Sequence, residues 1–409
     1  MTAPPTVDAD SLLVELVATP EGRADPYPRY AALRAAAPVH RSAMGFWALS
    51  RFDDCQHLLR HSGVGKDFSH TGTAGLNAAQ QAAEQRFRSD RSNMLTTDPP
   101  DHTRLRGLAT RAFTPRTVEG LRPRIEALVD ELLDAIGTGE VDVMDALAFP
   151  LPVTVIGEML GVPPVDRPAL RPLVRDVTAV LELVLTPESL AAASAADVAL
   201  ADYFAGLVAD RRAHPGDDLL SRLIEAEDQG DQLTEHELIS TAILLFAAGF
   251  ETTTHLIGNG LLALLRHPDQ LARLRADRTM IRPAVEELLR FDSPVQIALR
   301  TAYQDLSFGG QTIEAGSVVL AMLGAANRDP ARFHDPETLD LSRDDGPPMS
   351  FGGGIHFCLG AALARLEGQV VFDRLLDRFA TIELVGPPPT HRDSLTLRGL
   401  VDLRARFAT

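Results

Sequence analysis

The stretch from Leu233 to Arg266 constrains this chain more than any other part of its sequence. It is one continuous helical pattern, mostly apolar and free of proline. Helices in globular proteins average ~10–14 residues and owe most of their stability to packing. A helix this long therefore has to cross the molecule through its core. Further helices are expected at 27–37, 101–113, 115–136, 153–160, 167–185 and 187–212, with a small hairpin at 39–41 and 46–49 and strands at 295–301 and 317–323. The chain is thus mainly α. Its length alone would allow two or three ordinary domains. Residues 1–24 are polar and proline-bearing, which predicts a mobile leader. The weakly patterned run 63–94 reads as disorder or as a functional lid.

The long helix carries a local fault. Gly249 lies mid-helix, where glycine costs about 1 kcal/mol relative to alanine. Thr252, four residues past Ala248, can donate back to that carbonyl and loosen the ladder. A slightly bent core helix would show the same signs. The small side chains of Ala248 and Gly249 would also let the helix lie close against a flat partner.

A second segment raises the stakes. Phe351-Gly352-Gly353-Gly354-Ile355-His356-Phe357-Cys358-Leu359-Gly360 holds one of only two cysteines, just ahead of a predicted helix from Ala361. A lone cysteine is ordinarily a small buried hydrophobe, and Cys55, on the apolar spacing of 52–59, is read that way. Around Cys358 the glycines permit tight turns and close approach. The helix start supplies unpaired N–H groups that favour a thiolate. A thiolate suits soft or borderline metals, and with no second cysteine nearby, multi-thiolate zinc and iron–sulfur sites are excluded. Haem iron is the natural candidate.

The spacing of Phe351, Gly354, His356, Cys358 and Gly360 resembles the haem-thiolate loop of the cytochrome P450 superfamily, and supporting segments follow in the right order from about Asp25 onward. The resemblance implies a single large, mainly helical domain over 25–409, with small sheets and haem b held by Cys358. Ala248-Gly249-Phe250-Glu251-Thr252 is similar to the family's oxygen-activation motif, in which Glu251 and Thr252 would move protons toward dioxygen. His102 and Arg106, one helical turn apart, match the family's propionate donors, as do Arg300 and His356. Arg104 and Arg111 are read as candidates for docking an acidic electron donor. Glu287 and Arg290, with Arg343 in a later meander, resemble the family's buried charge network behind the haem.

A net charge of −17 argues against nucleic acid and anionic membrane as partners. No apolar run of about 20 residues and no signal pattern stands out, so a soluble, cytoplasmic, monomeric enzyme is expected. The chain has no flavin or nicotinamide fingerprint, so electrons are expected from a ferredoxin or flavodoxin and its NAD(P)H reductase. The segments 63–94, 173–190, 294–299 and 395–400, with the distal face near Leu244 and Glu251, are expected to set the substrate. Their aliphatic character suits a bulky apolar molecule such as a macrolide, other polyketide or terpenoid. The resulting expectation is a monooxygenase that hydroxylates or epoxidises a natural product. A peroxide-driven peroxygenase of the same fold, or a non-catalytic haem sensor, are the alternatives.

Overall fold

The computed structural model describes residues 8–67, 93–183, 185–228 and 233–409. The weakly patterned run is therefore covered only at its edges, and 68–92 lie outside the described residues. Contacts divide the chain into two compact units interleaved in sequence. Met1–Gly75, Arg266–Cys358 and Thr390–Val401 make the first, and Leu76–Leu265, Leu359–Pro389 and Asp402–Thr409 the second. Neither is continuous, so no single cut separates them.

In the first unit the expected hairpin, Val39–Arg41 with Phe46–Leu49, is the edge of a five-stranded sheet. Phe46–Leu49 pairs in parallel with Val318–Ala321, which is followed by Ala298–Ala302 and Val64–Gly65 in antiparallel order. Trp47, Leu49, Val319 and Ala321 bury one face against Phe52, Cys55, Leu58 and Leu59 of the helix Phe52–Arg60. That helical spacing is what marked the segment as packing. Cys55 is fully buried, its thiol donates to the Leu49 carbonyl at 3.1 Å, and burial pushes its pKa up. It is inert core.

The leader departs from expectation. Residues 8–24 form two short helices, Ala9–Ala18 and Pro20–Ala24. Asp8 caps the first and Thr19 the second, with Pro20 in the opening turn where a missing N–H costs nothing. Leu13 and Leu16 are buried, and Asp10 accepts from the Ala43 amide at 2.9 Å. Polar caps around an apolar pair were misread as a polar tail.

In the second unit the helix Glu235–Arg266 is buried over most of its length. A reciprocal cap starts it: Thr234 Oγ1 accepts from the Glu237 amide at 3.2 Å, and Glu237 Oε2 accepts from the Thr234 amide at 2.8 Å. Edge-to-face rings at 5.4–5.8 Å link Phe149, Phe250, Phe246 and Phe204 along it. The helix Ala361–Arg378 packs on Arg122–Ile136, and Arg404–Ala408 sits between Gly139–Asp142 and Thr381–Leu384 in a three-stranded sheet.

Two expected helices are shorter than their patterns. The run 115–136 breaks at Leu121 into Pro115–Gly120 and Arg122–Ile136, because Pro123 can sit in a first turn but not mid-helix. The run 167–185 stops at Thr178 and ends in a 3-10 turn, Ala179–Leu181. Among the described residues one helix, Pro187–Ala213, is long and apolar enough by composition to cross a membrane, with mean hydropathy 1.3. That qualifies the expectation that no such run exists. Its apolarity is largely alanine. Ala193, Ala196, Leu200, Phe204, Leu207 and Val208 form one buried stripe, and the helix packs on Arg167–Thr178.

Candidate functional site

Each unit carries its own set of the residues singled out above. In the first, the Cys358 loop is bent by glycine. Gly352 and Gly354 have φ of +70° and +67°, a region glycine enters without strain. A Cβ on Gly354 would lie 2.0 Å from the Leu59 carbonyl oxygen, so no other residue fits there. The turn closes with the Cys358 amide donating to the Phe351 carbonyl at 3.0 Å and the Phe357 amide to Gly354 at 3.1 Å.

The loop presents its thiol outward. Cys358 is exposed, and Ile355 and Phe357 beside it are 50% and 42% exposed. The Phe351 and Phe357 rings stand 6.3 Å apart. An exposed soft donor on an apolar platform, with backbone brought up by glycine, fits a flat apolar macrocycle whose iron takes a thiolate. His356 lies in the 3-10 turn Gly354–His356. Arg300 lies in the strand Ala298–Ala302, opposite Val319 and 4% exposed.

What holds this loop is a buried polar network. Asn327 accepts from the Met349 amide at 2.7 Å and donates to Ser293 and Ser350 at 2.7 and 2.9 Å. Ser350 in turn donates to the Leu289 carbonyl at 2.7 Å. Arg290 donates to the Asn327 carbonyl at 2.9 Å and grips Glu287 with two N–H groups at 2.6 and 2.8 Å. Arg343 donates to the same carboxylate at 3.1 and 3.2 Å. Glu287, Arg290 and Arg343 are thus brought together as expected. The Asn327–Ser350 link to the loop went unpredicted, and no local pattern signals it.

Two of the expected substrate segments also lie in this unit, and they are tied together. The Gln296 amide donates to Thr396 at 3.0 Å and the Arg398 amide to Pro294 at 2.8 Å. Arg398 Nε meets Asp292 at 2.6 Å, and Tyr27 OH donates to the same oxygen at 2.8 Å.

In the second unit Thr252 Oγ1 donates to the Ala248 carbonyl at 3.2 Å, the back-bond its spacing predicts. Gly249 lies against Ile156, where a Cβ would meet Ile156 Cγ1 at 2.5 Å. Close helix packing thus accounts for a glycine at that position. Glu251 is buried, 6% exposed, and Thr252 partly exposed. His102 is 3% exposed on the helix Asp101–Thr110, with Arg106 half-buried one turn on.

Arg104 is engaged within the protein. Its guanidinium binds Glu237 at 2.5 Å and Asp101 at 3.0 Å, joining this helix to the cap of the long one. Arg111 is exposed. The Arg104 guanidinium holds the Glu237 carboxyl below its ordinary range. Such a group stabilises the fold only while ionised, so its contribution is lost as pH falls through the folded-state value. Glu237→Gln is expected to cost about 1 kcal/mol at neutral pH and nothing once the wild-type carboxyl is protonated. Denaturant unfolding of both proteins at neutral and acid pH checks this; an equal gap at both would contradict it.

Residues 180–401 match the family described as Cytochrome P450. The chain is 45% identical over 393 residues to cytochrome P450 107B1 of Saccharopolyspora erythraea, covering 93% of this chain and 95% of that protein. It is 40% identical to the polyketide biosynthesis cytochrome P450 PksS of Bacillus subtilis, covering 93% and 95%. The solved structure of ligand-free CYP164A2 from Mycobacterium smegmatis superposes with a TM-score of 0.89 at 40% identity, covering 97% of this chain and all of that one. The chain belongs to the cytochrome P450 family. It is a haem-thiolate monooxygenase of the bacterial type, whose relatives use haem b with an axial cysteine and draw electrons from ferredoxin and reductase partners.

Proposed function

We propose that Cys358 is the axial ligand of haem b and that this enzyme oxidises a bulky apolar polyketide or macrolide in the cytoplasm. The observation that carries the ligand assignment is the exposed thiol on its glycine-bent apolar platform. His102, Arg106, Arg300 and His356 are the candidate donors to the propionates; charge-assisted bonds of this kind are strong. Ala248 and Gly249 keep the long helix free of bulk, and Phe351 and Gly360 flank the ligand loop. When bound, haem b supplies dioxygen activation and transfer of one oxygen atom to a C–H bond or alkene.

The protein's own chemistry is proton management. Thr252 holds a hydroxyl at a loosened point of the helix, and Glu251 takes protons from solvent and passes them on. A peroxygenase has no use for this pair, which favours dioxygen and two electrons, delivered by a ferredoxin or flavodoxin with its NAD(P)H reductase. The substrate class rests on the polyketide role in the name of PksS and on the aliphatic segments at 294–299 and 395–400.

A panel of macrolactones and other polyketides, screened for the low-to-high-spin Soret shift, tests the substrate; silence across the panel with a response to terpenoids would overturn it. With the responding compound, Thr252→Ala is expected to lower product per NAD(P)H by roughly 10²-fold while NAD(P)H oxidation and peroxide release continue. Unchanged coupling would remove Thr252 from the mechanism.

A further inference from the structure

Four residues beyond Glu251, on the same helix face, is His255. His255 Nε2 stands 3.5 Å from Glu251 Oε1, and the two side chains are 3% and 8% exposed. Burial, reinforced by the Arg171 guanidinium, pushes His255 down to about 4. The imidazole is therefore neutral at pH 7 and carries a single hydrogen. With that hydrogen on Nε2, His255 can donate to a Glu251 oxygen, 3.5 Å away.

The same helix offers a contrast. Glu237 is gripped by Arg104, a permanent cation that favours its ionised form. His255 gives Glu251 a fixed direction without adding charge, which suits a carboxyl that must gain and lose protons in each cycle. Arg171, itself paired to the exposed Asp145 at 2.8 Å and stacked 4.1 Å over Phe149, keeps a positive charge near the imidazole and opposes its protonation.

We propose that His255 is a positioning residue for proton delivery, its imidazole holding the buried Glu251 carboxyl in the orientation from which it serves Thr252. This rests on the reading of Glu251 as the proton carrier. The test compares His255→Leu, His255→Gln (whose amide nitrogen overlays Nε2), Glu251→Gln and the Leu/Gln double variant. All are assayed as holoenzyme with a surrogate ferredoxin, its reductase and air.

His255→Leu is expected to slow ferredoxin-driven NAD(P)H oxidation roughly tenfold, a mid-range pair coupling. His255→Gln should stay near wild type, and the Leu change should cost nothing further in the Glu251→Gln background. Independently of turnover, the infrared carboxyl signal of Glu251 is isolated in ¹³C-glutamate protein by subtracting Glu251→Gln. It should move in His255→Leu and hold in His255→Gln. A wild-type rate with an unmoved band in His255→Leu overturns the proposal. If Glu251→Gln itself runs at the wild-type rate, the Glu251 reading fails and takes the proposal with it, whatever the band does. Should the leucine variant not bind haem, His255→Met, which also lacks a donor, replaces it.

Discussion

Glu287→Gln is expected to destabilise the protein by about 3–5 kcal/mol, because it leaves the buried Arg290 guanidinium without its carboxylate, while Arg343 keeps Asp345 at 2.7 Å. Glu287 and Arg290 are 2% and 1% exposed and Arg343 is 8% exposed. Glu287 also accepts from the Asp340 amide at 2.9 Å. Against a typical total of about 5–15 kcal/mol, the loss removes a large share of the stability. Arg290 reaches Asn327, and Asn327 reaches the start of the Cys358 loop, so the fraction that folds should also lose haem. Denaturant unfolding and haem content per chain measure both effects. The exposed pair Arg41–Glu314, 3.3 Å apart and 65% and 52% exposed, is the control. Glu314→Gln should change stability by no more than about 1 kcal/mol. Comparable losses at the two sites would contradict the role given to the buried network.

Cys358→Ser is expected to have the opposite profile. The residue is exposed, so the apoprotein should unfold within about 0.5 kcal/mol of wild type, as surface changes usually do. Monooxygenase turnover should vanish, because a serine hydroxyl stays protonated where a thiol ionises and no other cysteine lies nearby. Cys55 is buried in the sheet core and supplies no substitute. Product formation above a haem-free blank in Cys358→Ser would contradict the ligand assignment. Together the two variants separate stability from chemistry.

The features legible in the sequence are those whose signals are local. The long helix announces itself by its period and the absence of proline. The Cys358 loop does so by glycines at positions that need positive φ, and the Thr252 back-bond by its spacing from Ala248. Strands 46–49 and 318–321 showed as β-prone runs, yet their parallel pairing joins segments far apart and left no trace in either. Arg104's ion pair with Glu237 was invisible for the same reason: the two lie 133 residues apart. The leader misled because Asp8, Thr19 and Pro20 serve equally as caps and as marks of disorder, and only burial of Leu13 and Leu16 decides. His255 gave no signal of its role in the sequence, since burial sets its neutrality.

One spectrum bears on all of this. Dithionite-reduced wild-type protein under carbon monoxide is predicted to give the red-displaced Soret absorption of a thiolate-ligated haem, and Cys358→Ser to lose it. A wild-type carbonyl complex absorbing where histidine-ligated haems do, or an identical band in the serine variant, would contradict a sulfur–iron bond at Cys358.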